Sequence, residues 1–442
     1  MKLVKMSLAA AMLVASASAI DNIKVDGDAK LYYGTSKNNQ QAMFGNDRGS
    51  LFSKYNSFGD AALRLGVTGD LLSNVSFGAT AYAISTLGLE NNLVSRTWTN
   101  AHDNAVDDSW WMGELWLAAT AGNTTLKAGR MELDTPLAFS EKWNIAPNTF
   151  EGAVVLNQDI PDTTLVGAWI GKHNGALQLK VGDIKTAGGA GFDGMTAANG
   201  AVNTSFGTFG DKGAYAVGIV NNSFKPLTAQ AWYYNVSNVA DAFWLQADLA
   251  CKMVPGLIAG AQYAQLKPKS DGALNALIGP NLDKTKGYAL KLGYGIDALN
   301  VYGAYSKVKD QDNPALNIQN VATQQESKLY TEFYFFGNYG NVGANGAKAY
   351  KLAADYDTKD FGKYMISYTQ SKQNANIAAT QPYNKVKELA LEASKTFGPL
   401  DASLAYIYTK NKYDLGTEVD LNNVAIDGDK EHAILAKLQL NF

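Results

Sequence analysis

Residues 434–442 read Ile-Leu-Ala-Lys-Leu-Gln-Leu-Asn-Phe, and their alternation decides the fold class. In an extended chain successive side chains point to opposite sides. Ile434, Ala436, Leu438, Leu440 and Phe442 therefore share one face, and Lys437, Gln439 and Asn441 share the other. One face suits hydrocarbon and the other suits water. The pattern recurs upstream: Ala61, Leu63, Leu65 and Val67 oppose Arg64 and Thr68, and Tyr288, Leu290, Leu292 and Tyr294 oppose Lys291. Tyr350, Leu352, Ala354 and Tyr356 likewise oppose Lys351 and Asp355, and Leu400, Ala402, Leu404, Tyr406 and Tyr408 oppose Asp401 and Ser403. A soluble sandwich also alternates. Strand length, aromatic residues near strand ends and an apolar C-terminal residue favour instead a closed antiparallel β-barrel in a membrane.

At the other end, Lys2 and Lys5 precede an apolar run over 6–15 and the small-residue site Ala17-Ser18-Ala19, the three parts of a secretory signal peptide. The run is too short to span a bilayer as a helix. Removing residues 1–19 leaves one unit, 20–442, with no Pro-rich linker or charge block, and with the 42 Gly and 23 Tyr of the chain spread along it. No later run of 18 apolar residues occurs, so within a membrane only a closed barrel satisfies the backbone. A first strand-like segment at Ile23–Tyr33 leaves no room for the globular plug of an energy-coupled transporter.

Loss of Lys2 and Lys5 takes the 38 basic side chains to 36 against 41 acidic ones, so nucleic acid is not an expected partner. The single cysteine, Cys251, reads as a small apolar filler. His102, His173 and His432 accompany neither a GxSxG nor a metal-ligand spacing, so no catalytic residue and no metal site is assigned. Asp107-Asp108, or Asp310 with Asp312, leaves calcium open as a cofactor, although neither completes a calcium-loop motif.

Spacing supplies the topology. Short connectors fall near 70–74, 122–124, 159–162, 221–225, 253–256, 295–298, 358–360 and 397–399, and the longer stretches between them make nine hairpin loops. Eight turns and nine loops join eighteen strands. Lys328–Phe336 (KLYTEFYFF) has strand propensity of its own. A nineteenth strand would break the even number usual for single-chain bacterial barrels, so this segment is assigned to the seventh loop, folded over the mouth or extending outward as a hairpin.

Alternation turns Lys30, Arg64, Lys127, Lys291, Lys351, Lys363 and Lys437 inward, together with Asp26, Asp28, Glu114, Asp248, Asp355, Glu388 and Glu392. Opposed charges across a pore set a transverse field that favours polar solutes. The third loop, 131–148, carries Asp134, Glu141 and Lys142 among Pro136, Leu137, Phe139, Trp143 and Pro147. It is too apolar for a simple solvated loop, and its apolar groups suit the inner wall, although a surface loop with scattered hydrophobic residues has the same composition. Strict alternation with Leu126 and Ala128 points Arg130 outward unless the chain twists at Gly129.

Gly129-Arg130, Asp134-Thr135-Pro136 and Pro147-Asn148-Thr149-Phe150-Glu151-Gly152, with the leader Met1-Lys2-Leu3-Val4-Lys5 and terminal Phe442, resemble the OprD-like porins and the major outer-membrane porins of epsilon-class Gram-negative bacteria. The resemblance implies an eighteen-stranded, homotrimeric outer-membrane channel narrowed by its third loop. Arg130, Asp134, Glu141 and Lys142 would stand at the constriction, and Lys30, Arg64, Glu114, Lys127, Lys291, Lys351, Asp355 and Lys437 would line the pore. Phe442 would be the signal read by the barrel assembly machinery, and outer-membrane lipid would surround the wall. The function expected is passive diffusion of small hydrophilic solutes and ions. A channel selective for amino acids or small carboxylates, and a surface adhesin built on a barrel, are the alternatives.

Overall fold

The computed structural model describes residues 21–38, 49–90, 92–98, 108–179, 185–186, 189–190, 195–208, 212–250, 254–270, 272–373, 385–412 and 429–442. The expected signal peptide, His102, Asp107, Cys251, and Gly188 and Gly191 of the fourth loop lie outside the described residues.

The wall strands are β1 (Asp21–Asn38), β2 (Ser57–Leu72), β3 (Val75–Ser85), β4 (Ser109–Ala121), β5 (Thr124–Met131), β6 (Phe150–Asn157), β7 (Thr163–Leu179), β8 in two segments (Met195–Thr208 and Ala214–Asn221) and β9 (Leu227–Val236). They continue as β10 (Ala240–Ala250), β11 (Leu257–Pro268), β12 (Thr285–Ile296), β13 (Leu299–Val308), β14 (Lys348–Thr358), β15 (Gly362–Lys372), β16 (Lys385–Phe397), β17 (Leu400–Lys412) and β18 (Asp429–Asn441). The two segments of β8 pair in turn with β7, Thr208 opposite Lys172 and Ala214 opposite Ile170, so they form a single interrupted strand. The eighteen antiparallel strands close where β18 pairs with β1, from Asp28 opposite Asn441 to Asn38 opposite Glu431. Phe442 and Gly27 exchange backbone hydrogen bonds of 2.7 and 2.9 Å at the seam. Closure removes the sheet edges that lipid could not hydrate. No helix among the described residues is long and apolar enough to cross a membrane, and the one α-helix, α1 (Ala273–Ile278), lies in loop 6.

Local chemistry sets the hairpins. The two-residue turns at Asp297-Ala298 and Gly398-Pro399 put Asp297 at φ 49° and Gly398 at φ 60°, left-handed conformations that Gly and Asp tolerate best. The alternation seen in the sequence becomes an outer face of exposed leucines, Leu63, Leu117, Leu245, Leu290, Leu352 and Leu404 among them. Exposed Tyr294, Tyr356, Tyr364 and Phe397 ring the turn end of this belt, and Tyr215, Phe243, Tyr288 and Tyr350 ring the loop end, where lipid headgroups lie.

The structure corrects the expectation of an outward hairpin at Lys328–Phe336. This segment contains no strand. Loop 7 (309–347) turns into the barrel, burying Leu329, Phe333 and Phe335. The apolar and aromatic residues that raise its strand propensity serve packing here: Leu137, Trp232, Trp244, Leu329, Phe333 and Val342 belong to one interior cluster. A second cluster joins Tyr32, Tyr82, Trp111, Ile145, Phe335 and Leu435.

Candidate functional site

Loop 3 (132–149) and loop 7 meet inside the wall. Trp143 stacks on Phe336 with centroids 4.8 Å apart and planes 13° from parallel. Val321 N donates to Leu137 O at 2.9 Å, and Asn320 Nδ2 donates to Phe139 O at 2.8 Å. Lys328 pairs with Asp134. Glu141, only 1% exposed, accepts from Trp143 Nε1 at 2.8 Å, Asn320 Nδ2 at 3.0 Å, Glu326 N at 3.1 Å and the Thr323 hydroxyl. Glu141 is thus a joint between the loops and turns away from solvent, unlike Asp134 and Lys142, whose side chains are 89% and 74% exposed. Lys142 bonds Glu132 at 2.7 Å, which holds its ammonium above the usual lysine range.

Wall residues brace both loops. Lys30 Nζ donates to Ile145 O at 3.0 Å and Lys437 Nζ to Trp143 O at 3.4 Å, so both lysines reach loop 3. Glu114 accepts from Glu132 N at 3.2 Å at the root of loop 3. On the loop 7 side, Lys351 Nζ donates to Glu332 O at 2.6 Å. Glu388 accepts from Tyr334 N and Asn338 Nδ2, each at 2.7 Å. Tyr330 Oη donates to Asp248 at 2.7 Å, and Lys291 reaches the same carboxylate at 3.2 Å while its Nζ lies 4.2 Å from the Tyr330 ring. Tyr330 fits because its neighbour is Gly260, where a Cβ would lie 2.5 Å from the hydroxyl.

Two further lysines carry charge without a carboxylate in ion-pair range among the described residues. Lys127 Nζ lies 4.1 Å from the Trp116 ring, and Lys437 Nζ lies 5.3 Å from Tyr32 and 5.4 Å from Trp98. Arg64 is bound to Asp26 at 2.5 Å and also to Asp28. Under loop 7, toward the turns, a cavity of 470 Å³ is lined by Lys351, Asp355, Lys363, Tyr334 and Glu392. A second cavity, of 430 Å³, adjoins Lys363, Lys395, Lys437 and Asp357.

Arg130 stands apart from this group. Its register partners are Leu115, 57% exposed, and Glu151. Gly129 has φ 127°, yet alternation survives it. The guanidinium faces the Leu115 side, bonds Glu151 at 2.7 Å and Met112 O at 3.0 Å, and lies 4.0 Å from the Phe206 ring.

The loop 7 carboxyl groups are perturbed. Glu326 is pushed up to about 7, first by burial and then by neighbouring Glu141. Glu332 is pushed up to about 8 by burial, although it accepts from Ser327 N, Phe333 N and Gly340 N. Of the two described histidines, buried His173 accepts from Gly175 N at 3.1 Å, and His432 Nδ1 lies 2.8 Å from the Tyr406 hydroxyl. Among the described residues no three His, Cys, Asp or Glu side chains converge to hold a metal, and Asp310 bonds Asn345. Sequence reasoning missed Glu326, Glu332, Asn320 and Tyr330. Their signal was the density of aromatic and acidic residues in a loop too apolar for solvent.

Known structures share this architecture. Pseudomonas aeruginosa OpdK, in a crystal structure with vanillate, superposes with a TM-score of 0.68 at 15% identity, over 95% of this chain and 99% of that one. Pseudomonas aeruginosa OccK3 (OpdO) gives 0.65 at 14% identity over 96% and 97%. OccK2 (OpdF) of the same organism, in complex with glucuronate, gives 0.65 at 12% identity over 95% and 98%. No curated protein sequence matches the chain. Residues 73–390 match the family described as outer membrane porin, OprD family, and the closed eighteen-stranded wall agrees with it, so this chain belongs to the OprD family of outer-membrane porins.

Proposed function

We propose that loops 3 and 7 together form the constriction of this porin, and that small hydrophilic solutes and ions diffuse passively past Asp134, Lys142 and the wall residues Lys30, Arg64, Glu114, Lys127, Lys291, Lys351, Asp355 and Lys437. The observation that carries this reading is the joint at Glu141, which ties the two loops together inside the wall. Exposed charges of both signs beside it favour polar over apolar solutes. Single-channel recording of the refolded protein in a planar bilayer under a salt gradient tests it. An open pore is expected, with a reversal potential that shifts when Asp134 and Lys142 are neutralised together. No conductance, or an unmoved potential, counts against it.

A preference for small carboxylates is the second reading. It is supported by Lys127 and Lys437, which lie over aromatic rings without an ion-pair partner among the described residues. Two of the similar porins were crystallised with vanillate and glucuronate, both carboxylate-bearing. Liposome swelling should then be faster with glucuronate than with glucose, and Lys127→Gln should narrow the difference.

The assembled form is proposed as a homotrimer in outer-membrane lipid, exported with cleavage after Ala19 and delivered by the barrel assembly machinery. The apolar belt and its aromatic girdles support the lipid contact. Native mass spectrometry would read both the oligomer and the mature N-terminus.

A further inference from the structure

Beside the charged path lies a cavity of 220 Å³ of a different character. Its walls are loop 3 at Leu133, Leu137 and Ala138, loop 7 at Leu316 and Val321, and the inner face of β7 to β11. Among the described residues, no Asp, Glu, Lys, Arg or His lines it. The loops cannot simply fold down into it, because Val321 N and Asn320 Nδ2 are held on the carbonyls of Leu137 and Phe139. Its polar lining is uncharged, the side chains of Thr135, Asn317, Gln319, Asn320 and Gln324 together with Tyr234, whose buried hydroxyl lies beside Thr135 and the Leu137 backbone without a hydrogen bond of normal geometry. Half-exposed Ile278 of α1 stands at the rim.

Along the aliphatic part of this lining, which is the larger part, water finds few of the two to four polar partners it needs, whereas apolar cavities of about 150 Å³ accept benzene. A charged solute would be desolvated with no counter-charge to receive it. We propose that this cavity is a binding site for a neutral, largely apolar molecule of about the size of a singly substituted benzene, carrying one hydrogen-bond acceptor for Tyr234. The site is separate from the path assigned to hydrophilic solutes, and it stands whether or not loops 3 and 7 are the constriction. Because the guest touches both loops, it favours their docked arrangement.

Fluorine NMR of the refolded full-length protein, titrated with 4-fluoroanisole, tests the site. A saturable bound component is expected above the non-saturable partition into detergent. Ala242→Phe and Ala315→Phe each project a ring into the cavity and should weaken that component at least about tenfold. Heat-modifiable migration reports whether each variant has folded. 4-Fluorobenzoate, similar in size but charged, should not displace the ligand. In crystals of the unaltered protein soaked with 4-iodoanisole, the anomalous iodine signal should fall between Leu137, Tyr234 and Leu316. The proposal is overturned if the unaltered protein shows no saturable component, if a folded filling variant keeps it, if fluorobenzoate displaces it equally, or if iodine is absent from the cavity.

Discussion

Glu141 sits in loop 3 among residues that alternate between charge and hydrophobe, and its surroundings decide its role. Burial raises its carboxyl above the usual range, while the donors from Trp143, Asn320, Thr323 and the Glu326 backbone oppose that shift. Glu141→Ala would strand these buried groups, at a cost of about 1–3 kcal/mol for each left without a partner. We expect noisier single-channel currents and faster proteolysis within loop 7, with little change in the barrel's own unfolding midpoint. Lys142→Gln should do the reverse, moving the reversal potential while leaving the noise alone, since its ammonium is exposed and, among the described residues, pairs with Glu132 alone. On the outer face the governing physics is different. Leu290 is exposed in the middle of β12, so Leu290→Arg should cost about 2–4 kcal/mol in refolding into lipid vesicles, with a smaller penalty for Arg nearer a girdle.

Loop 7 behaves as an element whose docking is tied to protons. Glu326 and Glu332 are raised to about 7 and about 8 in the docked loop, and in an undocked loop they would return to the ordinary value of 4.5. The docked form therefore holds more protons between roughly pH 4.5 and 8, and its stabilisation is complete below that window and lost as pH rises through it. Lys328, Lys351, Asp134 and Glu141 share the field of these carboxyls. Current noise should be greater at pH 8.5 than at pH 5.5, and Glu326→Gln with Glu332→Gln should flatten the difference. An unchanged pH profile in that double variant would assign the effect elsewhere. The element also shows where one-dimensional reading stops. The parity of β12, β14, β17 and β18 was legible from alternation, and most loop positions from turn chemistry, but the expected loop at 172–212 is largely strand, with β7 running to Leu179 and the first segment of β8 covering Met195–Thr208. The aromatic run at Lys328–Phe336 was not legible, because strand propensity and interior packing draw on the same residue types.

At the scale of the whole molecule, the seam between β1 and β18 completes the backbone pairing, and Phe442 lies at its end with its ring against Gly27. Deleting Phe442 should reduce the yield of assembled barrel in the outer membrane while export across the inner membrane continues. Normal barrel yield would contradict the assembly role proposed for it. Closure also explains why the interior can be so heavily built. With the backbone satisfied around the ring, the inner face is free to carry two apolar clusters, paired charges and two inserted loops.

Alternation along single strands determined the barrel and its outer face, because a period of two is a local property that lipid on one side and water on the other enforce. Which loops meet, that Glu141 joins them instead of facing solvent, and that loop 7 enters the barrel were decided only by the tertiary structure. Glu141 and Asn320 are 179 positions apart, and no local periodicity carries information across that distance.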